Sequence, residues 1–240
     1  MSDDSLPSAG AQCYARCLER IAFADAARPF VVAQLGQTLD GRIALPNGES
    51  RWINNEAALD HLHRLRAAVD AVVVGVGTVL ADNPQLNVRR VAGRNPARVV
   101  IDPGGRMPVD AALLTEDGAR RIQVTRTGVR AASAVEQIAL KPGAGGMLAP
   151  EHIVAALHAR GLRRLLIEGG ATTVSAFMDA RVVDRLHLLV APCILGTGKT
   201  GINLNPIPSL GAAMRPPAHV HVLDGGDVLF DCDMERDRSP

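Results

Sequence analysis

Only 2% of this 240-residue chain is aromatic, and Trp52 is its single tryptophan. That scarcity argues against an aromatic-lined groove for sugars or single-stranded nucleic acid, where exposed rings supply the stacking. It also leaves the interior to be filled by Val, Leu, Ile and Ala. Charge of one sign is lacking as well. With 26 Lys and Arg against 25 Asp and Glu the net charge is +1, so bulk electrostatics points to no nucleic-acid or membrane-surface partner. No apolar run approaches the roughly 18 residues of a membrane span. Cys13, Cys17, Cys193 and Cys232 form no CxxC pair and do not read as a disulfide framework, so a reducing cytoplasm is expected. Cys13 and Cys17, one helical turn apart, read as small apolar packing rather than half of a metal site. The N-terminus MSDDSLPSAG carries acids where a secretory signal carries Lys or Arg.

What is present is alternation. AQCYARCLERIAFADAA has helical character and is ended by Arg28-Pro29, because the residue before proline is pushed out of the helical region. Residues 1–28 are therefore taken as an N-terminal helical extension and 29–240 as one α/β domain. Strands are expected at FVVAQL (30–35), AVVVGV (71–76), RVVID (98–102), RIQVT (121–125), RRLLIE and RLHLLVA. Helices are expected at 54–69, with Asn54 as N-cap and Ala58, Leu62, Leu65 and Val69 as its apolar stripe, and at about 150–160 and 171–181. KPGAGG (141–146) reads as a surface loop. AHVHVLDGGDVLFDCDM alternates around Asp224-Gly225-Gly226, a hairpin signal. The expected fold class is α/β: a mostly parallel central sheet, helices on both faces and an antiparallel C-terminal hairpin.

Two strand-to-helix turns have the character of ligand sites. In LLIEGGATTVSAFM, Glu168 closes an apolar strand and is followed by Gly169, Gly170, Thr172 and Thr173. Glycines let the backbone approach a ligand, and the amides and hydroxyls that follow suit a phosphate or pyrophosphate. AVVVGVGTVLADNP repeats the character with Gly75, Gly77 and Thr78. Either turn alone is also consistent with tight packing, and neither meets GxGxxG, which argues against an ordinary nicotinamide-binding Rossmann domain. PCILGTGKT ends like a P-loop, but Cys193 stands where the motif requires glycine.

Taken together, QLGQTLDGRIALPNGESRWI, HRLRAAVDAVVVGVGTVLADNPQLNVR and LLIEGGATTVSAFMDARVVDRLHLLVAPCILG resemble the reductase domain of the bifunctional deaminase/reductase of riboflavin biosynthesis, over roughly residues 29–233. Zinc deaminases carry His-x-Glu and Pro-Cys-x-x-Cys, which are missing here, so a standalone reductase with a dihydrofolate-reductase-like fold is expected. The resemblance implies NADPH as cofactor and 5-amino-6-(5-phosphoribosylamino)uracil as substrate, reduced by hydride transfer at the ribosyl C1′. It implies cofactor contacts at Gly36, Trp52, Thr78, Asp82, Gly170, Ala171, Thr172, Thr173, Val174, Ser175 and Ala176. It implies substrate contacts at Ser50, Arg66, Leu86, Arg89 and Glu168, with Glu168 catalytic by orienting the substrate or by moving a proton.

Arg66 and Arg89 are residue types that clamp a phosphate, although Arg66 read alone is a snorkelling surface arginine. Read alone, Trp52 is core or rim packing, and Ser50 and Asp82 are ordinary loop residues. Gln34 stands where the family commonly has lysine and Asn87 where it commonly has threonine. These departures keep open a dihydrofolate or pterin reductase and a non-catalytic nucleotide-binding protein. Arg126, after RIQVT, is a candidate for the cofactor's 2′-phosphate or a solvated loop charge. A homodimer is expected, with the C-terminal strands available to pair across a two-fold axis.

Overall fold

The computed structural model describes residues 9–24, 27–132 and 135–234. The acidic segment 1–8 and the side chain of Cys13 lie outside that description. In chain order the elements are α1 (Ala9–Ala22), β1 (Phe30–Thr38), β2 (Arg42–Ala44), α2 (Glu56–Ala68), β3 (Ala71–Gly75), α3 (Val76–Asp82), β4 (Ala97–Ile101), β5 (Arg121–Arg126) and β6 (Glu136–Leu140). They continue with α4 (Pro150–His158), β7 (Arg164–Glu168), α5 (Ala171–Asp179), β8 (Arg185–Ala191), β9 (Lys199–Thr200), β10 (Ala218–Val222) and β11 (Val228–Asp233).

Among the described residues, nine strands form one sheet in the order β10-β11-β8-β1-β7-β3-β4-β5-β6. The seven strands from β8 to β6 are mutually parallel, and β11 joins β8 antiparallel with β10 beyond it. The near-continuous apolar runs follow from this arrangement, since a central parallel strand is buried on both faces. Val31, Ala33 and Leu35 of β1 join the core beneath α4 and α5, which Leu157, Val174 and Phe177 complete. Val32 points to the other side, with Val72, Val74, Leu65 of α2, Val79 of α3 and Ile21 of α1. The hairpin forms where Asp224-Gly225-Gly226 allows it, with Gly225 and Gly226 both at positive φ.

Several local expectations are corrected. β1 runs on to Thr38 rather than stopping at Leu35, because β8 pairs with it through Ala191. Asn55, not Asn54, caps α2: its Oδ1 accepts from the Ala58 amide at 3.1 Å. Asn54 is drawn away to Asp227 of the hairpin turn, donating from Nδ2 to Oδ2 at 3.0 Å. The buried face of α2 is also more polar than the expected stripe, since His61, His63 and Arg66 are buried with Ala58 and Leu65 while Leu62 is only partly covered. β6 was not expected; as an edge strand it buries only Ile138 and leaves little apolar signal. Lys199-Thr200 form a short strand against β2 rather than opening a helix, in keeping with the rejected P-loop.

α1 lies against the α2 face of the sheet. Ile21 and Cys17 are buried there, and Arg20 pairs with Asp233 at 2.8 Å. The segment read as an extension thus covers sheet surface beside β10 and β11.

Candidate active site

Parallel strands place the loops after β1, β3 and β7 along one edge of the sheet, the edge at which the next helix begins. β3 and β7 are neighbours, so the two glycine-rich turns meet. A Cβ added at Gly75 would sit 2.5 Å from Thr173 Oγ1, and one added at Gly170 would sit 2.9 Å from Thr78 Oγ1. Gly169 and Gly170 have φ of 83° and 43°, a region closed to most side chains. Gly170 is therefore required twice, by backbone conformation and by the approach of Thr78, whereas Gly75, at φ of −79°, is required only by the approach of Thr173. α5 starts at Ala171; the Thr173 and Val174 amides donate to the Gly170 carbonyl at 3.0 and 3.2 Å, and those of Ala171 and Thr172 are the first-turn amides that remain. Thr172 is exposed and Ala171 and Thr173 partly so, whereas Val174 and Ser175 are buried and Ala176 is partly covered.

Glu168 ends β7 with its carboxylate held by Arg66 of α2. Arg66 Nε donates to Oε2 at 2.8 Å and Nη2 to Oε1, a bidentate pair whose side chains are 6% and 11% exposed. Arg66 Nη1 donates to the Asn87 carbonyl at 3.0 Å, next to buried Leu86, which itself has φ of 53°. Arg66 is therefore neither a surface arginine nor a free phosphate clamp. Arg89 is exposed, and its Nη1 donates to Asn87 Oδ1 at 2.9 Å. Partial desolvation of this largely exposed group, then the nearby Arg66, Arg90 and Arg51 charges, press its pKa down against the opposing pull of Glu168, an environment that a further anion would relieve.

His63 was not singled out from the sequence, although it stands three residues before Arg66 on the same helical face. Its Nδ1 accepts from the Arg89 amide at 3.1 Å, which assigns the proton of the neutral ring to Nε2. The 3.4 Å contact from Nε2 to Arg66 Nη1 then has a donor on both sides and is not a hydrogen bond. Burial and the charges of Arg66, Arg89 and Arg90 lower the His63 pKa to about 4.

The remaining expected residues line the same edge less tightly. Gly36 in β1 lies against Asn54, whose Oδ1 would meet an added Cβ at 2.0 Å. Ser50 is partly buried and its carbonyl accepts from the Ile53 amide at 3.2 Å. Trp52 is 70% exposed, which excludes the core reading. Asp82 is exposed, and its carbonyl rather than its carboxylate receives Arg51 Nη2, at 3.1 Å.

Register adds a feature that the sequence hid. Glu168 of β7 pairs with Gln34 of β1, Gln34 with His187 of β8, and His187 with Asp231 of β11. Register partners point to one face, so these four buried side chains form a polar row under α2. His61 Nε2 lies 3.0 Å from His187 Nδ1, and His187 Nε2 lies 3.1 Å from Asp231 Oδ1. The first contact is a hydrogen bond when one of the two facing nitrogens carries the proton, and the second is a close approach of ring to carboxylate.

Residues 29–223 match the family described as the RibD C-terminal domain. A 2,5-diamino-6-ribosylamino-4(3H)-pyrimidinone 5′-phosphate reductase of Methanothermobacter thermautotrophicus is 36% identical over 216 residues, covering 85% of this chain and 97% of that protein. The crystal structure of the deaminase/5-amino-6-(5-phosphoribosylamino)uracil reductase of Thermotoga maritima superposes with a TM-score of 0.74 at 31% identity, covering 87% of this chain and 57% of that one. Dihydrofolate reductase of Enterococcus faecalis, at 13% identity and a TM-score of 0.50, shares the fold.

Proposed function

The chain belongs to the RibD C-terminal domain family and is an oxidoreductase, and from that premise we propose that it reduces 5-amino-6-(5-phosphoribosylamino)uracil to its ribityl counterpart with NADPH. The observation that carries the reading is the meeting of the two glycine-rich turns beside Glu168. Gly75, Gly169 and Gly170 clear space, Thr78 and Thr173 bring hydroxyls to it, and the first amides of α5 adjoin it. This cradle fits a dinucleotide's pyrophosphate, with Gly36, Trp52 and Asp82 along the same edge. When bound, the nicotinamide supplies the hydride for C1′ of the opened ribosyl imine.

The chain's own residues position the acceptor. Arg66 takes one site on each Glu168 oxygen, leaving the carboxylate's other lone pairs to accept from pyrimidine N–H groups. A carboxylate fixed in this way orients its substrate rather than shuttling a proton, and fixed geometry supplies rate. Arg89 is the cation available for the substrate phosphate, with Ser50 and Leu86 completing the substrate side. Arg126, exposed at the same edge of β5, is proposed to hold the cofactor's 2′-phosphate. Homodimer formation is also part of the proposal.

A second reading has specific support. The relative matched over nearly its whole length is named for the 2,5-diaminopyrimidinone, which differs from the uracil at one exocyclic group. The likeness to dihydrofolate reductase concerns the fold alone. Following NADPH oxidation with each pyrimidine and with dihydrofolate separates the readings. Turnover of the uracil ahead of the diamino compound supports the proposal, the reverse order selects the second reading, and turnover of dihydrofolate alone overturns both. Arg126→Gln is expected to lower kcat/KM for NADPH about tenfold, with NADH unaffected; an unchanged NADPH/NADH ratio would move the 2′-phosphate contact elsewhere.

A further inference from the structure

The polar row ends, at the far side from the active site, in a group of metal-binding side chains that the reduction does not use. We propose that Cys17 of α1, His221 of β10 and Asp231 of β11 bind a single divalent ion of the zinc class, which clips the N-terminal helix to the C-terminal hairpin.

One thiol, one imidazole and one carboxylate offer ligand atoms that all lie within 4.8 Å of one another. Cys17 and Asp231 are buried and His221 partly so. Cys17 Sγ stands 3.7 Å from Asp231 Oδ2. The S···O edge of a zinc tetrahedron, built from ordinary Zn–S and Zn–O bonds, is about 3.5 Å. The two oxygens of Asp231 have separate surroundings. Oδ1 receives Arg185 Nε at 3.0 Å and Arg185 Nη2 and lies 3.1 Å from His187 Nε2, whereas Oδ2 faces the thiol. Fixing one carboxylate oxygen from behind while the other faces the ion is how outer partners orient a metal ligand.

Asp231 is three strand spacings from Glu168, about 14 Å. The ion's role is therefore structural, and the site is independent of the proposed reaction.

The test uses the full chain, reduced and stripped with a chelator, titrated with Co²⁺ under anaerobic conditions. One equivalent is expected to produce a thiolate-to-cobalt charge-transfer band, absent in Cys17→Ser and retained in His219→Gln on the same strand. His221→Gln, at a partly exposed position, is expected to weaken Co²⁺ binding by more than about tenfold. Zn²⁺ at a hundredfold excess over Kd is expected to raise Tm by about 5–10 °C in the wild type, and not in Cys17→Ser, whose circular dichroism reports its folding. A wild type with no thiolate band leaves only a thiol–carboxylate hydrogen bond and overturns the site. A band that survives Cys17→Ser, or that is lost equally in His219→Gln, overturns it too.

Discussion

Arg66 and Glu168 are both buried ions, and each is tolerable because the other is there. Removing one strands the other, at a cost of about 3–5 kcal/mol, whereas replacing both with apolar side chains can be near neutral. Arg66→Met is thus expected to lower urea stability by about that amount, and adding Glu168→Leu to return much of it; additive losses in the double-mutant cycle would show that the two side chains act separately. His63 makes a pH prediction at the same scale. An unfolded histidine binds its proton near 6.5, but folded His63 resists until about 4, through burial and three arginines. Its contribution to stability is therefore complete above about pH 6.5, is lost as pH falls towards 4, and levels off below. Buried His61, also held well below its ordinary value by burial, acts in the same direction. His63→Gln, which keeps an acceptor for the Arg89 amide, is expected to flatten the dependence of the urea midpoint on pH between 6.5 and 4. An unchanged slope would assign it to other groups. None of this pairing was legible in the sequence, because the partners lie 102 residues apart and a helix and a strand must first pack.

At the scale of elements, the strand-to-helix turns were legible one at a time, since glycine and threonine in that order after an apolar run carry their own physical meaning. Their meeting was not legible, because it depends on β7 inserting beside β3. The contact makes a substitution in one turn act through the other. Gly75→Ala places a methyl 2.5 Å from Thr173 Oγ1 and displaces that hydroxyl. The KM for NADPH is expected to rise about fivefold, one ordinary hydrogen bond's worth, with the pyrimidine KM unchanged. Thr173→Ala is expected to reproduce the effect, and the double variant to be no worse than Thr173→Ala. A further loss in the double variant would mean that the alanine acts on the ligand directly. The cap of α2 shows the opposite limit. Asn54 and Asn55 are equally suited to capping, and Asp227, distant in sequence, decides between them by engaging the Asn54 side chain and the Asn55 amide.

Across the whole molecule, alternation of strand and helix patterns announced a parallel sheet covered on both faces, and the Asp-Gly-Gly turn announced its antiparallel edge. Strand order was hidden: β1 lies between β7 and β8, a long-range arrangement with no local signature. That order leaves β10 at one margin, with one side of its backbone unpaired by the sheet. Its AHVHV sequence alternates, so His219 and His221 share one face while Val220 and Val222, 56% and 73% exposed, share the other. Natural sheets protect such an edge with charge, proline, a bulge or a covering element; among the described residues β10 carries two exposed valines instead. Antiparallel pairing of β10 with its copy across a two-fold axis would satisfy the edge and set the valines of both chains side by side on one face. Sedimentation equilibrium is expected to give twice the chain mass, and Val220→Lys with Val222→Lys to shift the protein towards monomer while its far-ultraviolet circular dichroism is unchanged, because both positions face outward. A wild type that sediments as a monomer would refute the dimer, and a dimer indifferent to the lysines would place the two-fold contact on another surface.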